Sequence, residues 1–335
     1  MGGSSSHAIS PLPVGKTIII TGGNTGIGYE TAKSIAMMGG NVILAVRTEE
    51  RGKSAISKME AEYEEKKSKG DVYGIVEKEK LDVQYHLCDM TSLKSVMQFI
   101  EWFKSTGLVC DVLICNACTY SLKEVFTDDK WEATYQVNYI AHFLLVSHLL
   151  PIICQAGNEC RIVIITSEVH QNAVFDPEYA ANSKMKNYSG YDAYANCKLF
   201  QIMLMYSLDK ILEHHPKVDV LCVDRGKLDA LVFPNDPHSS EGFNCHFCCM
   251  KCCVIYIIYR KLKHDADGAE TTIYAALDPH LAGLSRGYFL RARDKPRWPS
   301  REARNKELQE YLWKHTIENL NEYLDGDSLK ILGEH

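Results

Sequence analysis

Short, continuous apolar runs alternate, from Thr17 to Leu290, with longer stretches whose apolar positions recur at helical spacing. The runs Thr17–Ile20, Asn41–Val46, Val83–Cys88, Asp111–Cys115, Arg161–Thr166, Val218–Val223 and Gly287–Leu290 predict strands, the first of them buried. Tyr29–Met38 and Trp131–Leu150 repeat at about 3.6 residues and predict helices, and another helix is expected from about Tyr191. Residues 48–80 predict a long charged helix and loop, and the mixed-sign runs Glu64–Gly70 and Glu77–Lys80 suit a solvated face. Residues 168–190 lack a period and read as polar loop. Strands alternating with helices imply an α/β domain with a doubly wound parallel sheet and right-handed crossovers, over residues 15–299. Ligands of such sheets bind beyond the carboxyl ends of the strands. Residues 300–335 predict a C-terminal helical extension, with Leu308, Tyr311, Leu312 and Ile317 at helical spacing.

Composition narrows the class. Hydrophobic residues make up 46% and charged residues 24%, which is ordinary for a globular protein. A net charge of −6 without a basic, aromatic-laced stripe argues against a nucleic-acid partner. The 13 cysteines are an odd number, and no charged start with an apolar run opens the chain, so a reducing, cytoplasmic setting is expected. Residues 1–14 are small and polar and predict a disordered tail; Gly2 with Ser6 fits an N-myristoylation pattern, though a plain tail would look the same.

The first candidate chemistry is Thr21-Gly22-Gly23-Asn24-Thr25-Gly26-Ile27-Gly28, set between the first strand and the first helix. Glycines there let the backbone turn tightly and approach a pyrophosphate, and the helix start near Gly26 aims N–H groups at that anion. A dinucleotide is the expected ligand. Arg47, just past the second strand, occupies the position that faces the adenosine ribose in this type of sheet. A planar cation suits a 2′-phosphate, so NADP(H) is favoured over NAD(H). Asp89 and Met90 follow the third strand, Asn116 and Ala117 the fourth, Ser167 the fifth and Gly226 the sixth, which gathers them along one sheet edge beside the cofactor.

Tyr194 and Lys198 are four residues apart on one helix, so their side chains share a face. A cation beside a phenol stabilises the phenolate, which makes Tyr194 a candidate acid/base, while Ser167 could hydrogen-bond a carbonyl oxygen. Together with the glycine turn, Asn116-Ala117, Asn138, Ser167 and Tyr194-Ala195-Asn196-Cys197-Lys198 resemble the short-chain dehydrogenase/reductase family, in order and in spacing, from about Lys16 to Leu290. The resemblance implies a Rossmann-type fold and hydride transfer between a nicotinamide and a substrate carbon. In it Tyr194 donates or accepts the proton, Ser167 positions the oxygen, Lys198 holds the nicotinamide ribose, and Asn138 holds the water of a proton relay.

Cys115-Asn116-Ala117, Gln136-Val137-Asn138 and Gly268-Ala269-Glu270-Thr271-Thr272 look most like the branch of that family holding retinol dehydrogenases and the WW-domain-containing oxidoreductase. That implies a small lipophilic partner, a retinoid, steroid or lipid aldehyde, and association into dimers or tetramers. The chain departs from the family pattern at Cys118, at Arg225-Gly226 and at Lys227-Leu228-Asp229-Ala230, which lacks a hydroxyl. These changes motivate an alternative, a nucleotide-binding interaction protein of the same fold with little turnover. Cys245, Cys248, Cys249, Cys252 and Cys253 would form one helical stripe, and their overlapping pairs do not suit a metal. The resemblance makes 231–264 the substrate lid, and 243–263, apolar with a basic border, suits peripheral membrane contact.

Overall fold

The apolar runs form β1 (Thr17–Thr21), β2 (Asn41–Val46), β3 (Val83–Leu87), β4 (Val112–Cys115), β5 (Cys160–Thr166), β6 (Val218–Asp224) and β7 (Gly287–Leu290). They join, all parallel, in the order β3-β2-β1-β4-β5-β6-β7. The computed structural model describes residues 15–71, 74–224, 265–290 and 296–333. The expectations for the 1–14 tail with Gly2, for Arg225, Gly226 and Ala230, for the 231–264 lid and for the Cys245–Cys253 stripe lie outside these residues.

Successive strand residues face opposite layers, so each apolar run feeds two cores. Ile18, Ile20, Val42, Leu44 and Val163 pack under α1 (Gly26–Met37), α2 (Glu49–Ser68) and a helix at Asp265–Leu277. Ile19, Ile43, Leu113, Ile162 and Val220 pack under α3 (Leu93–Ser105), α5 (Ala141–Gln155) and α7 (Gly190–Ile211). β3 is the edge strand and stays half-exposed. The chain leaves β1 toward β2 on one side and returns to β4 on the other, which opens a crevice beyond the strand ends.

The expected Trp131–Leu150 helix is in fact three pieces. A short α4 (Ala133–Tyr135), capped by Glu132, runs through a π-turn (Gln136–Ile140) into α5. This Ala133–Gln155 stretch is long and apolar enough to cross a membrane, but it is 83% buried inside the domain, as a core helix that is apolar all round should be. Residues 168–190 are not all loop. Ser167 caps a 3-10 turn at Glu168–Asn172, and Asp176 caps α6 (Pro177–Asn182), which ends where Ser183 turns left-handed at φ 57°. Six residues are too few to express a helical period, although the Asp-Pro start is a local helix signal. The C-terminal helices Lys306–Leu320 and Gly326–Leu332 pack on the domain, the first through a buried contact of Thr316 Oγ1 with the Tyr139 hydroxyl (3.0 Å).

Candidate active site

The glycine turn lies in the crevice between β1 and β4. Gly22 and Gly26 take left-handed backbone conformations, φ 64° and 55°, which glycine adopts without a Cβ penalty. Gly28 is required for a different reason: a Cβ there would overlap Asn116 Nδ2 and come within 2.6 Å of the Gly22 carbonyl oxygen. Asn116 fastens the turn by donating to the Thr21 carbonyl (2.8 Å) and the Gly22 carbonyl (3.3 Å). A Cβ on Gly22 would sit 3.1 Å from Ala117 Cα, so Ala117 walls the same turn. Asn24, Thr25 and Gly26 face solvent at least in part, and Ile27 is buried. Whereas Thr48, Ser92 and Ser189 cap α2, α3 and α7 with side-chain oxygens, Thr25 makes no such bond and the first turn of α1 holds no acidic residue. Its first N–H groups therefore suit a pyrophosphate.

Arg47 and Asp89 meet beyond β2 and β3, with Arg47 Nε 3.8 Å from Asp89 Oδ1. Asp89 is oriented by Thr91, whose N–H (2.9 Å) and hydroxyl (2.7 Å) donate to Oδ1. The guanidinium remains half-exposed at the edge where an adenosine would lie, and an exposed pair of this length contributes little stability. Met90 departs from the sequence expectation in one respect: its side chain is buried in the core, with its sulfur 3.8 Å from Cys88 Sγ.

Thr21 links this half of the site to the other. Its hydroxyl oxygen accepts the Asn116 and Ala117 N–H groups, both at 2.9 Å, and stands 2.9 Å from His142 Nε2. Two lone pairs are then occupied, so the hydroxyl donates to Nε2, and the imidazole carries its proton on Nδ1, which points at the Asn138 carbonyl (3.4 Å). Burial holds His142 down at about 4, so the ring is neutral. Asn138 lies in the π-turn, a feature common at functional sites. Its side chain clamps the Thr119 main chain in both directions, accepting from N–H (2.8 Å) and donating to C=O (2.9 Å). Its own main-chain oxygen accepts from Gln201 Nε2 (2.7 Å).

α7 brings Tyr194 and Lys198 against the end of β5. Thr166 Oγ1 donates to the Lys198 carbonyl (2.8 Å), and Lys198 Nζ donates to the Ile165 carbonyl (3.0 Å), which docks α7 against the strand that ends in Ser167. Lys198 is fully buried, with its ammonium 5.2 Å from the centre of the Tyr194 ring. Tyr194 is also buried, and Tyr120 meets it edge-on at 5.7 Å. Ser167 Oγ accepts the Val169 N–H (3.2 Å), which leaves its own proton for a substrate oxygen. Behind it His170 Nδ1 donates to the Ser167 carbonyl (2.6 Å) while Nε2 accepts the Ser300 N–H (3.2 Å). Cys118 is partly exposed next to Thr119. Tyr191, one helical turn before Tyr194, accepts from Asn172 Nδ2 (3.0 Å), and Leu122 and Val174 are exposed apolar side chains, 63% and 75%.

Sequence reasoning missed His142, Gln201, Thr119 and His170. The first two had a signal. His142 lies four residues after Asn138 and Gln201 three after Lys198, each a polar position on an otherwise apolar helix face.

The short chain dehydrogenase family model matches residues 16–235, more than half of the chain. The chain is 31% identical to the human WW domain-containing oxidoreductase over 321 residues, covering 94% of this chain and 70% of that one. It is 31% identical to a polyprenol dehydrogenase of Danio rerio, covering 93% and 90%. Among solved structures, an uncharacterized protein from Mycobacterium paratuberculosis superposes with a TM-score of 0.67 at 22% identity over 96% of this chain and 98% of that one. L-Sorbose reductase from Gluconobacter frateurii, complexed with NADPH and L-sorbose, gives 0.58 at 17% over 84% and 96%. The match over most of the sheet and the relatives along nearly the whole length agree with the crevice geometry: this chain belongs to the short-chain dehydrogenase family, oxidoreductases that act on alcohols and carbonyls with a nicotinamide cofactor.

Proposed function

We propose that the protein interconverts a lipophilic carbonyl and its alcohol with NADP(H), and that Tyr194 is its general acid and base. The observation that carries this reading is the buried Lys198 ammonium 5.2 Å from the Tyr194 ring. A cation fixed in a low-dielectric site favours the phenolate over the phenol, so Tyr194 is suited to give its proton to a substrate oxygen and take it back. The nicotinamide, when bound, gives or takes the hydride. The turn at Gly22–Gly28 and the start of α1 would hold its pyrophosphate, and Lys198, with two N–H bonds left after the one to Ile165, would hold its ribose.

Ser167 donates to the substrate oxygen and so orients the carbonyl toward Tyr194. In the reducing direction the Tyr194 proton passes to that oxygen as the alcohol forms, and in the oxidising direction it returns. Arg47 supports NADP(H), because a half-exposed guanidinium beyond β2 can grip a 2′-phosphate. The likeness to polyprenol dehydrogenases supports a lipophilic substrate.

Purified protein titrated with NADPH and NADH, then offered retinal, a steroid ketone, a medium-chain aldehyde and a polyprenal, tests the reading. Tighter NADPH binding and carbonyl-dependent loss of absorbance are expected, with Tyr194→Phe slowing turnover about 10²–10⁴-fold. Arg47→Asp should weaken NADPH binding about 10–100-fold and leave NADH nearly unchanged. A preference for NADH would sink the role given to Arg47. Tight NADPH binding with no oxidation on any carbonyl, and no difference in Tyr194→Phe, would favour a nucleotide-binding protein with little turnover.

A further inference from the structure

Gln201 is buried beneath the site, three residues after Lys198 on α7 and therefore on the same side of that helix. One end of its amide has a fixed partner. The Asn138 main-chain oxygen can only accept, so the nitrogen of the amide must face it, at 2.7 Å, and the orientation of the side chain is forced. The opposite end, Oε1, is buried and has no hydrogen-bond partner among the described residues. A buried amide oxygen left without a donor costs about 1–3 kcal/mol, and polar atoms in such positions normally bind an ordered water. The Asn138 oxygen itself is crowded, with Gln201 on one side and the His142 Nδ1–H on the other. Lys198 has donors to spare beyond the one it gives to Ile165.

We infer that Gln201 is a positioning residue of the proton relay: Nε2 secures the Asn138 carbonyl, and Oε1 holds the water that serves Lys198. The relay water thus rests on the Gln201 side chain instead of directly on the Asn138 carbonyl. The inference depends on the proposed role of Tyr194. In the reducing direction Tyr194 gives one proton to the new alcohol oxygen. One proton returns to the phenolate from the Lys198 side, Lys198 regains it from the water, and the water regains it from solvent. Gln201 gains and loses none.

Two measurements test this, and only one needs turnover. A high-resolution crystal structure of the full chain with NADP⁺ should contain an ordered water within hydrogen-bond distance of Gln201 Oε1 and Lys198 Nζ. A dry Oε1, or a water on the Asn138 oxygen with Gln201 turned away, would overturn the inference whatever the substrate proves to be. The second is Gln201→Met, which keeps the volume and removes both polar ends, with cofactor binding and thermal melting confirming that it folds. Its kcat on a carbonyl that the wild type reduces should fall about tenfold or more with KM and NADPH affinity unchanged, and its pH–kcat profile should shift. A wild-type kcat and profile in Gln201→Met would also overturn the inference. Failure of the wild type to reduce any carbonyl would count against the proposed function, and the crystal structure would still decide on Gln201.

Discussion

Gly28 is where the glycine turn has least freedom. An added methyl would overlap Asn116 Nδ2 and crowd the Gly22 carbonyl, both parts of the turn itself. Gly28→Ala should therefore cost about 1–3 kcal/mol of stability and weaken nicotinamide-cofactor binding, since relief requires the turn to open. Gly26→Ala is the informative partner. Nothing lies within 4 Å of its added Cβ, so its cost comes only from the left-handed backbone, φ 55°. Thermal melts and fluorescence titrations of both variants check this, and equal, negligible losses would show that Asn116 moves aside freely. The sequence placed these glycines where β1 turns into the start of α1, but it could not say which of them meets a neighbour and which meets only the torsional limit.

Between elements, the part of the site least visible in sequence is the buttress behind α7. Glu132 is fully buried, and its carboxylate accepts from the Thr134 N–H (3.0 Å), the Tyr135 N–H (2.9 Å), the Tyr179 hydroxyl (2.7 Å) and the Tyr188 hydroxyl (3.1 Å). It thereby caps α4, which leads into the π-turn of Asn138, and ties it to α6 and to the strand of chain entering α7. Glu132→Gln leaves one acceptor oxygen where there were two. A loss of about 2–4 kcal/mol is expected, read as a lower melting temperature, together with slower turnover. An unchanged melting temperature would mean that the tyrosines carry the junction alone. The Asp176-Pro177 start of α6 was legible locally, yet α6 is too short for periodicity to announce it. The π-turn was not legible at all, because the apolar pattern of Trp131–Leu150 is equally compatible with an unbroken helix.

At the scale of the whole molecule, His170 joins the end of β5 to the chain that follows β7. Its neutral form is required there: one nitrogen donates to the Ser167 carbonyl and the other accepts from Ser300. Burial lowers its pKa below the ordinary 6.5, and burial likewise holds His142 at about 4. For a base with a depressed native pKa, the unfolded chain binds more protons below pH 6.5, so stability rises with pH through that window and is lost as pH falls toward the native values. The urea midpoint should decrease from pH 7.5 to 5.5, with His170→Gln showing a shallower decrease because the amide can still donate and accept without titrating. A flat wild-type midpoint would contradict the assignment.

Much of the architecture was decided by local pattern. Apolar runs of strand length separated by amphipathic stretches specify a parallel sheet with two covered faces, and the glycine turn, Ser167, Tyr194 and Lys198 mark where the proposed chemistry would lie, because each of these signals is read from local sequence. What tertiary structure alone decided is which polar groups saturate one another. Thr21 and His142 are 121 residues apart, and Asn138 and Gln201 are 63 apart. No period or motif encodes such pairs; they arise because packing α5 and α7 on one side of the sheet buries their polar groups together, and a buried donor or acceptor must find a partner.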